Sequence, residues 1–179
     1  GVISVCTHPV YVEWQLKQVR KGAERAGRDY SKIDTWARTM IYVADSKAEA
    51  RRETSAYPSS YADLWSMLQR DDQDIEELRE ALEADEPGSV QALINDSKTF
   101  AEALDPEFAE RVDAPHSKVV SQRLIDFYHI SGTASEIRER IGILGSLGIK
   151  TVSMTAYTLI DKKAMFTKVG NQIIPYFST

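Results

Sequence analysis

TASEIRERIGILGSLGIKTVSMTA, residues 133 to 156, decides the fold class. Thr133 with Glu136 three residues later is a capping box, in which a hydroxyl and a carboxylate satisfy amides left open at a helix start. Ile137, Ile141 and Leu144 then form one apolar stripe at helical spacing, and Gly148 supplies the stop. From Lys150 the pattern changes period, with Val152, Met154 and Ala156 alternating with polar residues as a strand does. A helix running directly into an alternating strand points to an α/β architecture, with helices joining parallel strands.

The same grammar extends upstream. Residues 34 to 43 alternate, with Trp36, Arg38, Met40 and Tyr42 facing one way and Ala37, Thr39, Ile41 and Val43 the other. Ser46 with Glu49 is a second capping box, opening a helix toward Tyr57-Pro58. Residues 2 to 6 read as a short buried strand, and Val12, Leu16, Val19, Ala23 and Ala26 mark a helix that Gly27 stops. Residues 59 to 115 read as a mostly helical stretch without strands, broken at Glu86-Pro87-Gly88 and Asp105-Pro106. Helices close the chain from about Asp161 to Phe177. Three parallel strands are too few to bury both faces of a sheet. The order fits part of a (β/α)8 barrel, whose full form takes roughly 250 residues. The chain also opens inside an apolar run without Met, which points to a fragment.

Composition narrows the class further. With 179 residues, 42% hydrophobic and 27% charged, the chain suits one globular core and excludes disorder. No apolar run approaches the roughly 18 residues of a membrane span. The single Cys6 and the absence of a Cys/His cluster argue against disulfides and structural zinc, and a cytoplasmic location is expected. The net charge of −5 is uneven. Nine acidic residues against Arg79 between Asp71 and Glu86 give that stretch −8, leaving the rest at +3. The acidity thus belongs to one helical surface, and no basic stripe supports nucleic-acid binding.

No nucleotide or hydrolase fingerprint is present. Gly142, Gly145 and Gly148 follow no strand and read as close helix packing and a stop. His8, His116 and His129 are too scattered for metal spacing. The chemistry is therefore expected at the C-terminal ends of the parallel strands, where such folds bind ligands. Thr7 and His8 follow the first strand, and Thr155 and Tyr157 end the last. His8 reads equally as a helix cap beside Pro9 or as a ligand contact, and Tyr157 as a ligand contact or a core aromatic. Arg38, in register with Trp36, Met40 and Tyr42, is expected to face a barrel interior, paired with a carboxylate or a ligand anion. The segment His116 to Arg123 brings Lys118 and Arg123 ahead of the run Leu124 to Ile130. It suits a solvated helix face or a mobile lid clamping an anion.

The run Ile130-Ser131-Gly132-Thr133-Ala134-Ser135-Glu136-Ile137, followed by a helix, Leu147-Gly148-Ile149 and a strand, resembles the luciferase-like flavin or deazaflavin monooxygenases and reductases. Gly1-Val2-Ile3, Ala23 to Arg28, Tyr42-Val43-Ala44-Asp45 and Ile173-Ile174-Pro175 match the same pattern. The methylenetetrahydromethanopterin reductase branch is among the nearest, and Ala134 departs from the usual Pro. The resemblance implies a (β/α)8 barrel of which this chain holds about the last three strands. It further implies FMN or coenzyme F420 as cofactor in the complete barrel, a small-molecule substrate, a missing N-terminal half carrying most cofactor contacts, and a homo-oligomer. By position it implies substrate-side roles for Arg123 on the mobile segment and for Tyr157 after the last strand. The competing reading is a non-catalytic half-barrel that dimerises or binds another protein through its open strand edges and its acidic helical insertion.

Overall fold

The computed structural model describes residues 1–55, 61–105, 107, 113–156 and 161–177. Its centre is a parallel sheet of β1 (Val2–Ser4), β2 (Thr35–Val43), β3 (Ile130–Gly132) and β4 (Thr151–Ala156). Strand β2 pairs with β4 from Trp36↔Thr151 to Ile41↔Ala156. On its opposite edge it pairs with β1 at Val2↔Thr35 to Ser4↔Ala37, and farther along with β3 at Ile41↔Ile130 to Val43↔Gly132. In space β1 and β4 thus flank β2, and β3 extends the β1 edge at the C-terminal end of β2.

The short β3 is an addition to the three expected strands. Three residues are too few to show an alternation, and only the ladder to β2 makes them a strand. Strand β1 also ends earlier than residue 6. The Ser4 hydroxyl donates to the Cys6 carbonyl at 2.9 Å and accepts from the Cys6 amide at 3.3 Å, turning the backbone out of the ladder.

Helices α1 (Pro9–Arg25), α2 (Lys47–Thr54), α7 (Ala134–Leu147) and α8 (Lys162–Gln172) flank the sheet, and α3 (Tyr61–Leu68), α4 (Gln73–Asp85), α5 (Ser89–Ala103) and α6 (Gln122–Tyr128) form a helical part. A short α9 (Ile174–Phe177) ends the chain. The α7 start is a complete capping box: the Thr133 hydroxyl accepts from the Glu136 amide while the Glu136 carboxylate accepts from the Thr133 amide at 2.9 Å. At α2 only half the box forms. Ser46 accepts from the Glu49 amide at 3.2 Å, but the Glu49 carboxylate reaches past it to the Asp45 amide at 2.9 Å. Gly148 adopts φ 108°, which favours glycine, and ends α7 as the sequence predicts. Gly142 and Gly145 do not mark close packing, since a Cβ at either would meet nothing within 4 Å.

Two cores result. One lies between the sheet and its helices, built from Val12, Leu16, Ala37, Ile41, Ile130, Ile137, Ile141, Leu144 and Val169 among others. The second joins Tyr61, Leu78, Leu93, Phe100, Leu124 and Phe127 within the helical part. Helix α1 serves both, Val12 and Leu16 facing the sheet core while Val10, Tyr11 and Trp14 pack on the helical one. Ala26 caps α1 and is exposed rather than part of its apolar stripe.

The sheet is covered unequally. Ala37 is fully buried, whereas its neighbours Trp36 and Arg38 are exposed, and Ile3 and Val5 are 57% and 50% accessible. Arg38 shares its face with Trp36 as the alternation predicts, but no carboxylate meets it among the described residues. Among those residues, no helix is long and apolar enough to cross a membrane.

Candidate functional site

Because β1, β2 and β3 run parallel, the turns after these three strands lie along one rim. The β1–α1 turn carries Cys6, Thr7 and His8; the β2–α2 turn leads to Lys47; the β3–α7 turn leads to Glu136. Near these turns a cavity of about 520 Å³ opens, walled by His8, Lys47, Gln122, Asp126, Ser131, Glu136, Glu139 and Arg140, with Pro9, Ala50 and Ile143 as its apolar part.

His8 occupies the N-cap position of α1, yet its side chain makes no capping bond. The ring lies against Phe127, centroids 5.0 Å apart and planes within 22°. Burial pulls its pKa below the ordinary imidazole value, with Arg140 acting in the same direction against the carboxylates of Asp85, Glu86 and Asp126. His8 is therefore a neutral imidazole at neutral pH. Its Nδ1 and the Ser131 hydroxyl are buried without a hydrogen-bond partner among the described residues, an arrangement that favours a bridging water or a ligand polar atom.

The charged groups of the cavity are mostly committed to one another. Lys47 pairs with Glu136 at 3.0 Å. Arg140 donates to the Thr7 hydroxyl at 3.2 Å, to the Asp126 backbone carbonyl and to the Asp126 carboxylate at 3.5 Å. Three carboxylates against two cations leave a surplus negative charge, so the cavity itself suits neutral hydrogen-bonding groups better than a phosphate.

Arg123 stands beside the cavity on α6, following the lining residue Gln122. Its guanidinium pairs with Glu86 at 3.2 Å and Asp96 at 3.4 Å, and its side chain is 35% exposed. An anion binding there would exchange with these carboxylates. Lys118 ends the short helical turn Pro115–Lys118 and is exposed. The segment as a whole is not a solvated helix face, because His116 and Val120 are buried and Ser121 caps α6 by accepting from the Leu124 amide at 3.1 Å. Arg38 lies apart from this cavity, on the open sheet face in register with Ser153. Tyr157 lies outside the described residues. The rim thus brings His8 near α6 and Arg123, and leaves Arg38 elsewhere.

Sequence reasoning missed Arg140, Asp126 and Ser131. A signal for Arg140 existed, since it flanks the stripe Ile137, Ile141 and Leu144 on α7, where a guanidinium buried at its edge must find acceptors.

The model of the luciferase-like monooxygenase family matches residues 1–151. The chain belongs to that family. Within the luciferase-like family it lies near the methylenetetrahydromethanopterin reductase branch. It is 25% identical to the 5,10-methylenetetrahydromethanopterin reductase of Archaeoglobus fulgidus over 98% of this chain and 48% of that protein. A solved relative, the coenzyme F420 dependent tetrahydromethanopterin reductase from Methanopyrus kandleri, superposes with a TM-score of 0.67 at 21% identity, over 99% of this chain and 45% of that one. The chain therefore shares a luciferase-like fold and spans about half the length of these two relatives.

Proposed function

We propose that this chain is the C-terminal portion of a luciferase-like (β/α)8 oxidoreductase and contributes the substrate side of its active site. The observation that carries this reading is the rim, where three strand-end turns meet around one cavity holding buried polar atoms that have no partner among the described residues, in a chain of this family. Coenzyme F420 is favoured over FMN, because a relative matching nearly the whole chain is named as dependent on it.

The reduced cofactor, when bound, supplies the hydride. This chain's residues bind and orient. His8 and Ser131 offer uncharged hydrogen bonds from the cavity, and Arg123 with Lys118 offers a cationic contact beside it for an anionic part of substrate or cofactor. Arginine stays charged near neutral pH, so Arg123 acts as a clamp and not as an acid or base. Tyr157 and Arg38 complete the substrate side in the full barrel. The remaining barrel half covers the open face around Ile3, Val5 and Trp36, and the assembled enzyme works as a cytoplasmic homo-oligomer on a small-molecule substrate.

Kinetics of the complete enzyme test the clamp. Arg123→Ala should raise KM for an anionic substrate by a factor equivalent to about 2 kcal/mol, the worth of a charged hydrogen bond. Arg123→Lys should recover only part of it, since paired geometry is lost. Unchanged KM in both variants would remove Arg123 from the site. A second reading is favoured by the exposure of Ile3 and Val5 on an open face: a non-catalytic half-barrel that pairs with another protein. Stoichiometric coenzyme F420 or flavin in the purified complete protein decides for the enzyme, and its absence after saturation with either decides for the second reading.

A further inference from the structure

We propose that Arg140 is the positioning residue of the rim: from α7 it clamps α6 onto the β1–α1 turn, so that one guanidinium sets where His8 and Arg123 stand relative to each other. The consequence for substrate rests on the function proposed above, while the clamp itself does not.

The geometry is a convergence of three segments distant in sequence. One terminal nitrogen of Arg140, Nη2, donates both to the Thr7 hydroxyl at 3.2 Å and to the Asp126 carbonyl, and the other, Nη1, reaches the Asp126 carboxylate at 3.5 Å. One residue farther along α6, the Phe127 carbonyl accepts from the Thr7 amide at 2.9 Å, the His8 amide at 3.1 Å and the Cys6 thiol at 2.9 Å. The Thr7 and His8 amides of the turn therefore share one carbonyl of α6. Arg140 fixes the adjacent peptide, and with it the direction in which that carbonyl points. The His8 ring, stacked on the Phe127 side chain, follows the same peptide. Arg123, one turn earlier on α6, moves with it.

Burial makes the clamp selective for arginine. The Arg140 side chain is only 22% exposed, and a guanidinium taken from water is tolerated where its fork meets acceptors. A lysine would keep the charge and lose the simultaneous reach to Thr7 and both Asp126 oxygens. The anchor behind it is firm, because α7 begins in the complete Thr133–Glu136 box and packs Ile137, Ile141 and Leu144 into the sheet core. A Cβ at Gly132 would sit 2.8 Å from the Glu136 carboxylate, so even the approach to that box is fitted to it.

Amide hydrogen exchange and a His8 NMR titration of the complete protein test this. Arg140→Met should speed exchange at Thr7 and His8 on the order of tenfold beyond any change at the β2 amides, as local opening predicts. The His8 titration should move up toward its ordinary value as the ring leaves Phe127. The groups facing His8 are Asp85, Glu86, Asp126 and Arg140, and loss of the Arg140 charge alone would push the same way. Arg140→Lys separates the two causes: with the charge kept, both changes should persist in weaker form. Asp126→Asn, which removes one prong, should give the smallest change. Wild-type exchange at Thr7 and His8 in Arg140→Lys and Asp126→Asn would overturn the clamp, even if Arg140→Met fails to fold. In the complete enzyme Arg140→Lys should raise KM for an anionic substrate with little change in kcat. A confirmed clamp with unchanged KM would count against Arg123 as a substrate contact and leave the clamp standing.

Discussion

The sheet core and the helical core are similar in their apolar content and opposite in how they are made. The sheet core takes every third or fourth residue of α1 and α7 and, from β2, Ala37 and the run Ile41 to Val43. The helical core is held by aromatic contacts between segments far apart in sequence. Tyr61 meets Phe100 edge-on at 5.0 Å and Tyr128 at 5.1 Å, and Phe100 meets His116 at 5.2 Å. A core made of periods tolerates gradual change, because each residue repeats a contact its neighbours also make. A core made of a few large rings concentrates its stability in those rings.

The strongest way to break that contrast is Phe100→Ala. Phe100 is fully buried between Tyr61 and His116, and emptying such a site costs about 3–5 kcal/mol. Amides of α3 and α5 should lose protection by most of that amount, while those of β2 lose less. Equal loss everywhere, read by hydrogen exchange, would mean that the two cores unfold as one.

The same contrast explains what the sequence revealed. Helix α7 is readable almost to the residue, since its cap, stripe and glycine stop are all local signals. The alternation of β2 separates Ala37 from Trp36 and Arg38 where the strand is covered on one face, whereas from Thr39 to Val43 every residue is buried and the period of two no longer marks a face. Strand β3 is not readable, being three residues that become a strand only beside β2. The cavity was half legible for the same reason. His8 announces itself by following a strand, but Arg140, Asp126 and Ser131 come together through packing of α6 on the β1–α1 turn, which no periodicity encodes. The pairing of Arg123 with Glu86 and Asp96 likewise joins α6 to α4 and α5 across the helical part.

Acid should sharpen the difference between the cores. His129 is buried at the C-cap of α6, just before β3, its ring 5.4 Å from Tyr61, and desolvation lowers its pKa to about 3. The folded protein thus keeps it neutral while the unfolded chain takes up a proton below about pH 6.5. Stability should be complete above that value and fall as pH drops toward 3, by about 1.4 kcal/mol per pH unit for this one proton. The half-buried His8 adds to the slope in the same sense. Urea unfolding at pH 7, 6 and 5 reads the effect, and His129→Gln should remove one proton's share. An unaltered slope in that variant would show that His129 is already protonated in the fold.

The smallest effect tests the joint between the cores. Trp14 on α1 donates from its indole nitrogen to the Asp74 carbonyl at the start of α4, at 2.7 Å, while the same helix buries Val12 and Leu16 in the sheet core. Beside it Lys17 pairs with Glu77, and Lys21 pairs with Asp74 at 3.3 Å and Glu77 at 3.2 Å. Those lysine pairs are exposed, and pairs of that kind contribute little in water, so the indole bond is the specific link. Trp14→Phe keeps most of the apolar surface and removes only that donor, leaving the Asp74 carbonyl to solvent. A loss of about 1 kcal/mol is expected. Because the carbonyl belongs to the helical part, the loss should appear first in α4, with the sheet core unchanged. If Trp14→Phe lowers protection in β2 as much as in α4, α1 transmits stability between the cores and they are one cooperative unit.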